Sequence, residues 1–364
     1  MNKILLPLSI TLACSLNSFA GEQTSEPDKL VTKVENRWNL PLHTSEQQRN
    51  LWNSWIPYWE TESGTMPGPN DYEQWLAKRE EKANDPLVAR FNKAALEYAD
   101  VEIKEVYING VRTLEITPSN LEHNNSVILF SHPGGMYAHK PETVLTDAAP
   151  MAMTAKTKVI SIDYRKIPGP PKGLKIQDQR DDVISVYKGV VEKLGYKPKN
   201  VGMYGCSAGS VLTVQAVNKL SHDKYPLPGA IAPNAGLYDW TLQGDTWYTM
   251  EGKDPVMSKP HYAEPIIAMA KMDPSNPEIS PALDNFDGRE WPPTMLFVGG
   301  REMLLSDSMM LNQKLKQAGH DSEINPFDGM VHCWNVVFYT PEAIAMRKQL
   351  VGFMKEKGVF DSEN

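Results

Sequence analysis

The chain has 364 residues, 41% of them apolar and 23% charged, enough for one large or two modest domains around a buried core. Its formal net charge of −8 argues against nucleic acid or an anionic membrane surface as partner, since both demand a basic face. No stretch reaches eighteen unbroken apolar residues, so no transmembrane segment is expected.

The first twenty residues, MNKILLPLSITLACSLNSFA, combine Lys3, an apolar run from Ile4 to Leu16 and small residues at Ser18 and Ala20. That pattern is an export signal cut after Ala20, which places the mature protein in the periplasm or outside the cell. A lipoprotein box ending at Cys14 is the alternative, with Thr11 standing where Leu is usual. Cleavage after Ala20 leaves two cysteines, Cys206 and Cys333, too few for a disulfide scaffold.

From about Asp28 to Asp100 the chain is rich in Trp and charge, with helical spacing in TSEQQRNLWNSWIPYWE and NDPLVARFNKAALEYA. Thr44 with Gln47 caps the first helix, ETESGTMPGPNDY reads as a loop, and Asn84 or Asp85 with Pro86 opens the third helix. The period then changes to two in VEIKEVYINGVRTLEITP, with Asn109-Gly110 as a hairpin turn. Beyond it SVILFS, KVISIDY, NVGMYG, GAIAPNA, PTMLFVGG and SEINPF read as strands. Helices near 142–156, 177–194, 208–220, 306–318 and 341–357 alternate with them. Apolar strands alternating with helices predict an α/β fold, a mostly parallel sheet covered on both faces. The segment 238–291 breaks this rhythm and is too long for a plain connector, so it reads as a helical cap insertion. The expected organisation is a leader (1–20), an N-terminal cap segment (21–100), core (101–237), cap insertion (238–291) and core again (292–364).

Chemistry concentrates at the strand ends. VGMYGCSAGSVL carries Gly-x-Ser-x-Gly between a strand and a helix, the setting of a nucleophile elbow, in which Gly205 and Gly209 allow close approach while Ser207 is lifted clear. The alternative is that Ser207 merely caps the helix. A serine hydroxyl needs a base and a group that orients it. His332 alone among the eight histidines lies between the last strand and the last long helix. The acid is expected after the penultimate strand, where Glu302 comes directly off the strand end and Asp307, the alternative, falls at a helix start. Gly134 and Gly135 in SHPGGMY, with Ala208, offer backbone N–H groups for an oxyanion.

These motifs resemble the bacterial hormone-sensitive-lipase-like carboxylesterases of the α/β-hydrolase fold. HPGG, GCSAGS, GGREMLLSDS and GMVHCW follow in that family's order, SIDYRKIPGPP resembles its Asp-Tyr-Arg segment, and GDTWYTMEGKDPVMS its cap segment. The resemblance implies a triad of Ser207, Glu302 and His332 and an oxyanion hole of Gly134, Gly135 and Ala208. Two departures stand out: Pro133 replaces a glycine of His-Gly-Gly-Gly, and Cys206 replaces an acidic residue before the nucleophile.

The implied reaction is acyl transfer through Ser207 on short- or medium-chain esters or lactones, needing no metal or organic cofactor. An amidase or peptidase with the same triad and a non-catalytic binding protein of the same fold are the alternatives. Tyr137, Trp240, Trp247 and Tyr248, with Trp52, Trp55, Tyr58 and Trp59, are candidates to line the substrate pocket, although aromatics at helical spacing also serve as core. If Ser207 and His332 meet, Cys206 and Cys333 are brought side by side, as two packed thiols or as a disulfide. The sequence leaves the oligomeric state, a homodimer included, open.

Overall fold

The computed structural model describes residues 40–41, 43–50, 66–169 and 173–360. The expected leader, Cys14, Trp52, Trp55, Tyr58 and Trp59 lie outside them. Two helices, α1 (Tyr72–Ala83) and α2 (Pro86–Tyr98), precede the sheet. Asp85 caps α2 by accepting from the Leu87 N–H, with Pro86 at the first helical position, where its missing N–H costs nothing. The cap expected at Thr44 sits one residue later. The Ser45 hydroxyl accepts from the Gln48 N–H at 3.1 Å and donates to Glu342, while the Thr44 hydroxyl is buried without a partner.

β1 (Val101–Ile108) and β2 (Val111–Pro118) form the expected hairpin, with Asn109 and Gly110 both at positive φ. Then β3 (Val127–Ser131), α3 (Leu145–Ala155), β4 (Lys158–Ile162), α4 (Ile176–Glu192), β5 (Val201–Cys206) and α5 (Ala208–His222) alternate. β6 (Ala230–Asn234) leads to the region 238–291, which holds the short helices α6 (Thr246–Thr249) and α7 (Glu264–Ala270). The chain closes with β7 (Thr294–Gly299), α8 (Leu305–Gln317), β8 (Ser322–Phe327) and α9 (Pro341–Glu356). The eight strands form one sheet in the order β1-β2-β4-β3-β5-β6-β7-β8, antiparallel through β2 and parallel from β4 onward.

The near-continuous apolar strands follow from burial on both faces. On one face Ala148 and Met151 of α3 and Met346 and Leu350 of α9 pack with Ile128, Phe130 and Tyr204. On the other Val186 of α4, Leu212 of α5 and Leu311 of α8 pack with Leu129, Met203 and Leu296. Among the described residues no helix is long and apolar enough to cross a membrane.

The tightest contact lies between α5 and the sheet. A Cβ at Gly209 would stand 1.9 Å from the Ser131 carbonyl oxygen, and one at Gly205 would stand 2.3 Å from the Gly209 oxygen. Both obstructions are backbone and have no side chain to rotate away. Gly209→Ala is therefore expected to cost about 3 kcal/mol in urea denaturation, because the helix must move off the strand ends. Gly352→Ala, in α9 with open space around it, should instead gain about 0.5–1 kcal/mol by helix propensity.

Candidate active site

The parallel strands end at one edge of the sheet, and each candidate residue stands just beyond such an end. Ser207 joins β5 to α5 at φ 53°, ψ −121°, a strained backbone for a residue with a side chain, costing about 1–3 kcal/mol. Its N–H donates to the Asn234 oxygen at 2.9 Å, and its side chain makes no capping bond to α5, which removes the helix-cap alternative. The hydroxyl is left to the histidine. His332 Nε2 stands 2.8 Å from Ser207 Oγ, and its Nδ1 stands 2.7 Å from Glu302 Oε2.

Glu302 is fully buried, and its other oxygen accepts the Gly299 N–H at the end of β7. The Arg301 N–H donates to the Met330 oxygen at 2.8 Å, tying the loop of the acid to the loop of the base. Asp307, the other acid candidate, is turned elsewhere: it accepts from the Asp239 N–H at 2.8 Å and from Trp247 Nε1 at 2.9 Å. Burial pushes its carboxyl up to about 8. Asp254, which sequence reasoning did not single out, accepts from the Met303 N–H at 3.0 Å and so braces the residue after Glu302; burial raises it to about 7. No sequence signal separates it from the other acids of the cap segment.

The Gly134–Gly135 turn is held from below. Gly134 and Gly135 have φ of 137° and 57°, and the Gly134 oxygen takes the N–H groups of Tyr137 and Ala138. Tyr164, from the Asp-Tyr-Arg segment, donates to the His132 oxygen at 2.7 Å and stacks on the His132 ring at 4.2 Å. Asp163 and Arg165 of the same segment pair with Arg112 and Asp182, so this stretch supports the loop from outside the cavity. Gly135, Ser207 and Ala208 share one narrow, largely apolar cavity. Its floor lacks a side chain at 135, and Pro133, without an N–H, lies upstream of both glycines.

Of the four pocket candidates only Trp240 lines this cavity. The Tyr137 ring packs edge-on against Trp75 at 5.1 Å. Trp247 is buried, its N–H spent on Asp307, and Tyr248 is 57% exposed with Lys259 over its ring. The walls that sequence reasoning missed are aliphatic or flexible: Val211, Leu237, Met257, Ile266 and Leu304, with Tyr262. Such residues look like any core residue in a sequence. Among the described residues no three His, Cys, Asp or Glu side chains are grouped to hold a metal ion.

Cys206 and Cys333 lie side by side as free thiols with Sγ atoms 3.1 Å apart. The Cys206 contact, joined by His332 and opposed by burial, pulls the Cys333 thiol down to about 6. Burial alone would depress the His332 imidazole, but the negative charge on Cys333 and then Glu302 outweigh it and hold its pKa above 6.5.

Two tests follow from this geometry. Glu302→Gln should lower kcat about 10³- to 10⁴-fold by presenting the wrong hydrogen-bonding pattern to the imidazole, while Asp307→Asn should stay within about threefold of wild type. A base must be neutral to act, so kcat/KM should rise with pH through an acid limb centred above 6.5. Cys333→Ala, which removes the largest contribution holding the imidazole up, should move that limb to lower pH.

Comparison with known proteins comes to the same fold. The α/β-hydrolase fold family matches residues 128–336. An esterase of Acinetobacter venetianus is 27% identical over 241 residues, covering 65% of this chain and 74% of its own. Among solved structures, the esterase E25 superposes with a TM-score of 0.76 at 24% identity, over 88% of this chain and 96% of its own. An esterase from the bacterial hormone-sensitive lipase family does so at 0.71 and 22%, over 86% and 99%. With more than half of its length matched, the chain belongs to the α/β-hydrolase fold family.

Proposed function

We propose that this carboxylic ester hydrolase cleaves esters of short acyl chains through an acyl-enzyme on Ser207. The observation that carries the reading is the pair of contacts at His332, 2.8 Å to Ser207 Oγ and 2.7 Å to Glu302, beside a cavity shared with Gly135 and Ala208. Ser207 Oγ attacks the ester carbonyl and its proton passes to His332 Nε2. Glu302 holds the imidazolium, and the N–H groups of Gly134, Gly135 and Ala208 face the oxygen that becomes negative. The imidazolium then protonates the leaving alcohol, and water repeats the attack with His332 as its base.

The size and lining of the cavity support the acyl preference. The cavity is narrow, and Val211, Leu237, Trp240, Met257, Ile266 and Leu304 offer apolar contact rather than hydrogen bonds. A short aliphatic acyl group suits that space, a small lactone also, and a long chain does not. The composition of the first twenty residues supports export, so that the activity would act outside the cytoplasm.

A series of p-nitrophenyl esters from acetate to dodecanoate tests the reading. The expected maximum of kcat/KM lies at acetate to butyrate, with a fall of about 10-fold by octanoate. Ser207→Ala should abolish turnover and labelling by a fluorophosphonate. A maximum at decanoate or beyond, turnover that survives Ser207→Ala, or a matched anilide cleaved faster than its ester would overturn it.

A further inference from the structure

The cap contributes one polar group to an otherwise apolar cavity. Tyr262 lies in the turn Lys259–Ala263 that leads into α7, and its side chain lines the cavity together with Gly135, Ser207 and Ala208. Its hydroxyl lies against residue 135 itself. A Cβ built on Gly135 would stand 2.2 Å from Tyr262 Oη and 3.0 Å from its Cζ, so the phenol fills the place that a side chain there would take.

This hydroxyl has no protein partner among the described residues. Tyr164, Tyr204 and Tyr238, buried beneath the same site, pair theirs with His132, Asp147 and Ser210. Half-buried Tyr262 thus keeps its hydroxyl open to a partner that arrives with the substrate in the cavity it lines.

The turn is braced as a catalytic support should be. The Glu251 carboxylate accepts from Ser258 Oγ at 2.8 Å and from the Lys259 N–H at 2.9 Å, and the Tyr262 N–H donates to the Ser258 oxygen at 3.0 Å.

We propose that Tyr262 is a catalytic residue, a donor from the cap whose hydroxyl hydrogen-bonds the oxyanion formed when Ser207 attacks the ester. The proposal rests on the acyl-enzyme reading above. In that step the Oγ–carbon bond forms, the carbonyl π pair moves onto oxygen, and the hydroxyl proton of Ser207 passes to His332. Tyr262 keeps its own proton throughout. Burial pushes its phenol well above the ordinary tyrosine value, so it remains a donor across the working pH range.

The experiment compares wild type with Y262F on p-nitrophenyl acetate and on trifluoroacetone, which Ser207 would convert to a hemiketal oxyanion. The expected result is a fall in kcat of about 100-fold. KM should stay within about threefold, and inhibition by trifluoroacetone should weaken by the same factor as kcat/KM. A purely packing role would raise KM or lower thermal stability without that parallel. A Y262F enzyme within about threefold of wild type in both kcat and inhibition overturns the proposal, as does a loss confined to KM.

A crystal structure of the wild-type trifluoroacetone adduct reads the same point without a mutant. Tyr262 Oη within about 3.2 Å of the hemiketal oxygen is expected, and a separation beyond about 4 Å overturns the assignment. A wild type that turns over no ester sinks the acyl-enzyme reading as well, whereas an active wild type with an unaffected Y262F sinks this one alone.

Discussion

The approach of α5 to the ends of β3 and β5 is the constraint on which the rest of the site depends. With 1.9 Å between the Ser131 oxygen and the place of a Cβ on Gly209, only glycine lets the helix begin there. That closeness turns the chain sharply enough to set Ser207 at φ 53° and leave its hydroxyl free of α5. It also brings Gly135, from the turn after β3, to the same cavity as Ala208 at the start of α5. Ser207, Gly135 and Ala208 are thus placed by one backbone contact. The strain at Ser207 is maintained by the sheet around it, since its N–H is bonded to the Asn234 oxygen of the neighbouring strand.

Much of this was legible in the sequence, because it lies in short segments with their own signals. The strand-turn-helix setting of Ser207, the Asn109-Gly110 hairpin and the alternation of strands and helices are all local patterns, and all appear in the structure. Glu302 was separable from Asp307 because a residue leaving a strand end faces the site, whereas one at a helix start has amide groups to meet. In the structure Asp307 spends its oxygens on the Asp239 N–H and on Trp247. The pocket was not legible. Its walls are Val, Leu, Ile and Met side chains chosen by how the cap folds over the sheet, and no periodicity marks them. The large aromatics misled for a related reason. Trp247 and Tyr137 are rigid enough to anchor the cap and α1, and they are used there instead.

Buried polarity is concentrated around Ser207, Glu302 and His332. Burial raises the carboxyls of Asp147, Asp254 and Asp307 to about 6, 7 and 8, and each is held by protein donors. Asp147 is bonded by Asn335 Nδ2 at 2.7 Å and by the Tyr204 hydroxyl at 3.2 Å, and Asn335 in turn accepts from Asn234 at 2.9 Å. This network underlies Cys206 and follows His332 by three residues, so it fixes both ends of the Ser207–His332 contact from beneath. The two thiols belong to the same layer. Where an acidic residue would stand before Ser207, Cys206 places a thiol, and its contact lowers the pKa of Cys333.

The same layer explains why the cap cannot be a passive cover. It meets the core through polar contacts with the loop that carries the acid: Asp254 with the Met303 N–H, Thr246 with the Met303 oxygen and Ser306, and Trp247 with Asp307. Any displacement of the segment around Thr246–Asp254 is therefore transmitted to Glu302, and through Nδ1 to the tautomer and aim of His332. From the opposite side the turn at Tyr262 sets the roof over Gly135. The region 238–291 thus contacts both the loop that carries Glu302 and the surroundings of Gly135.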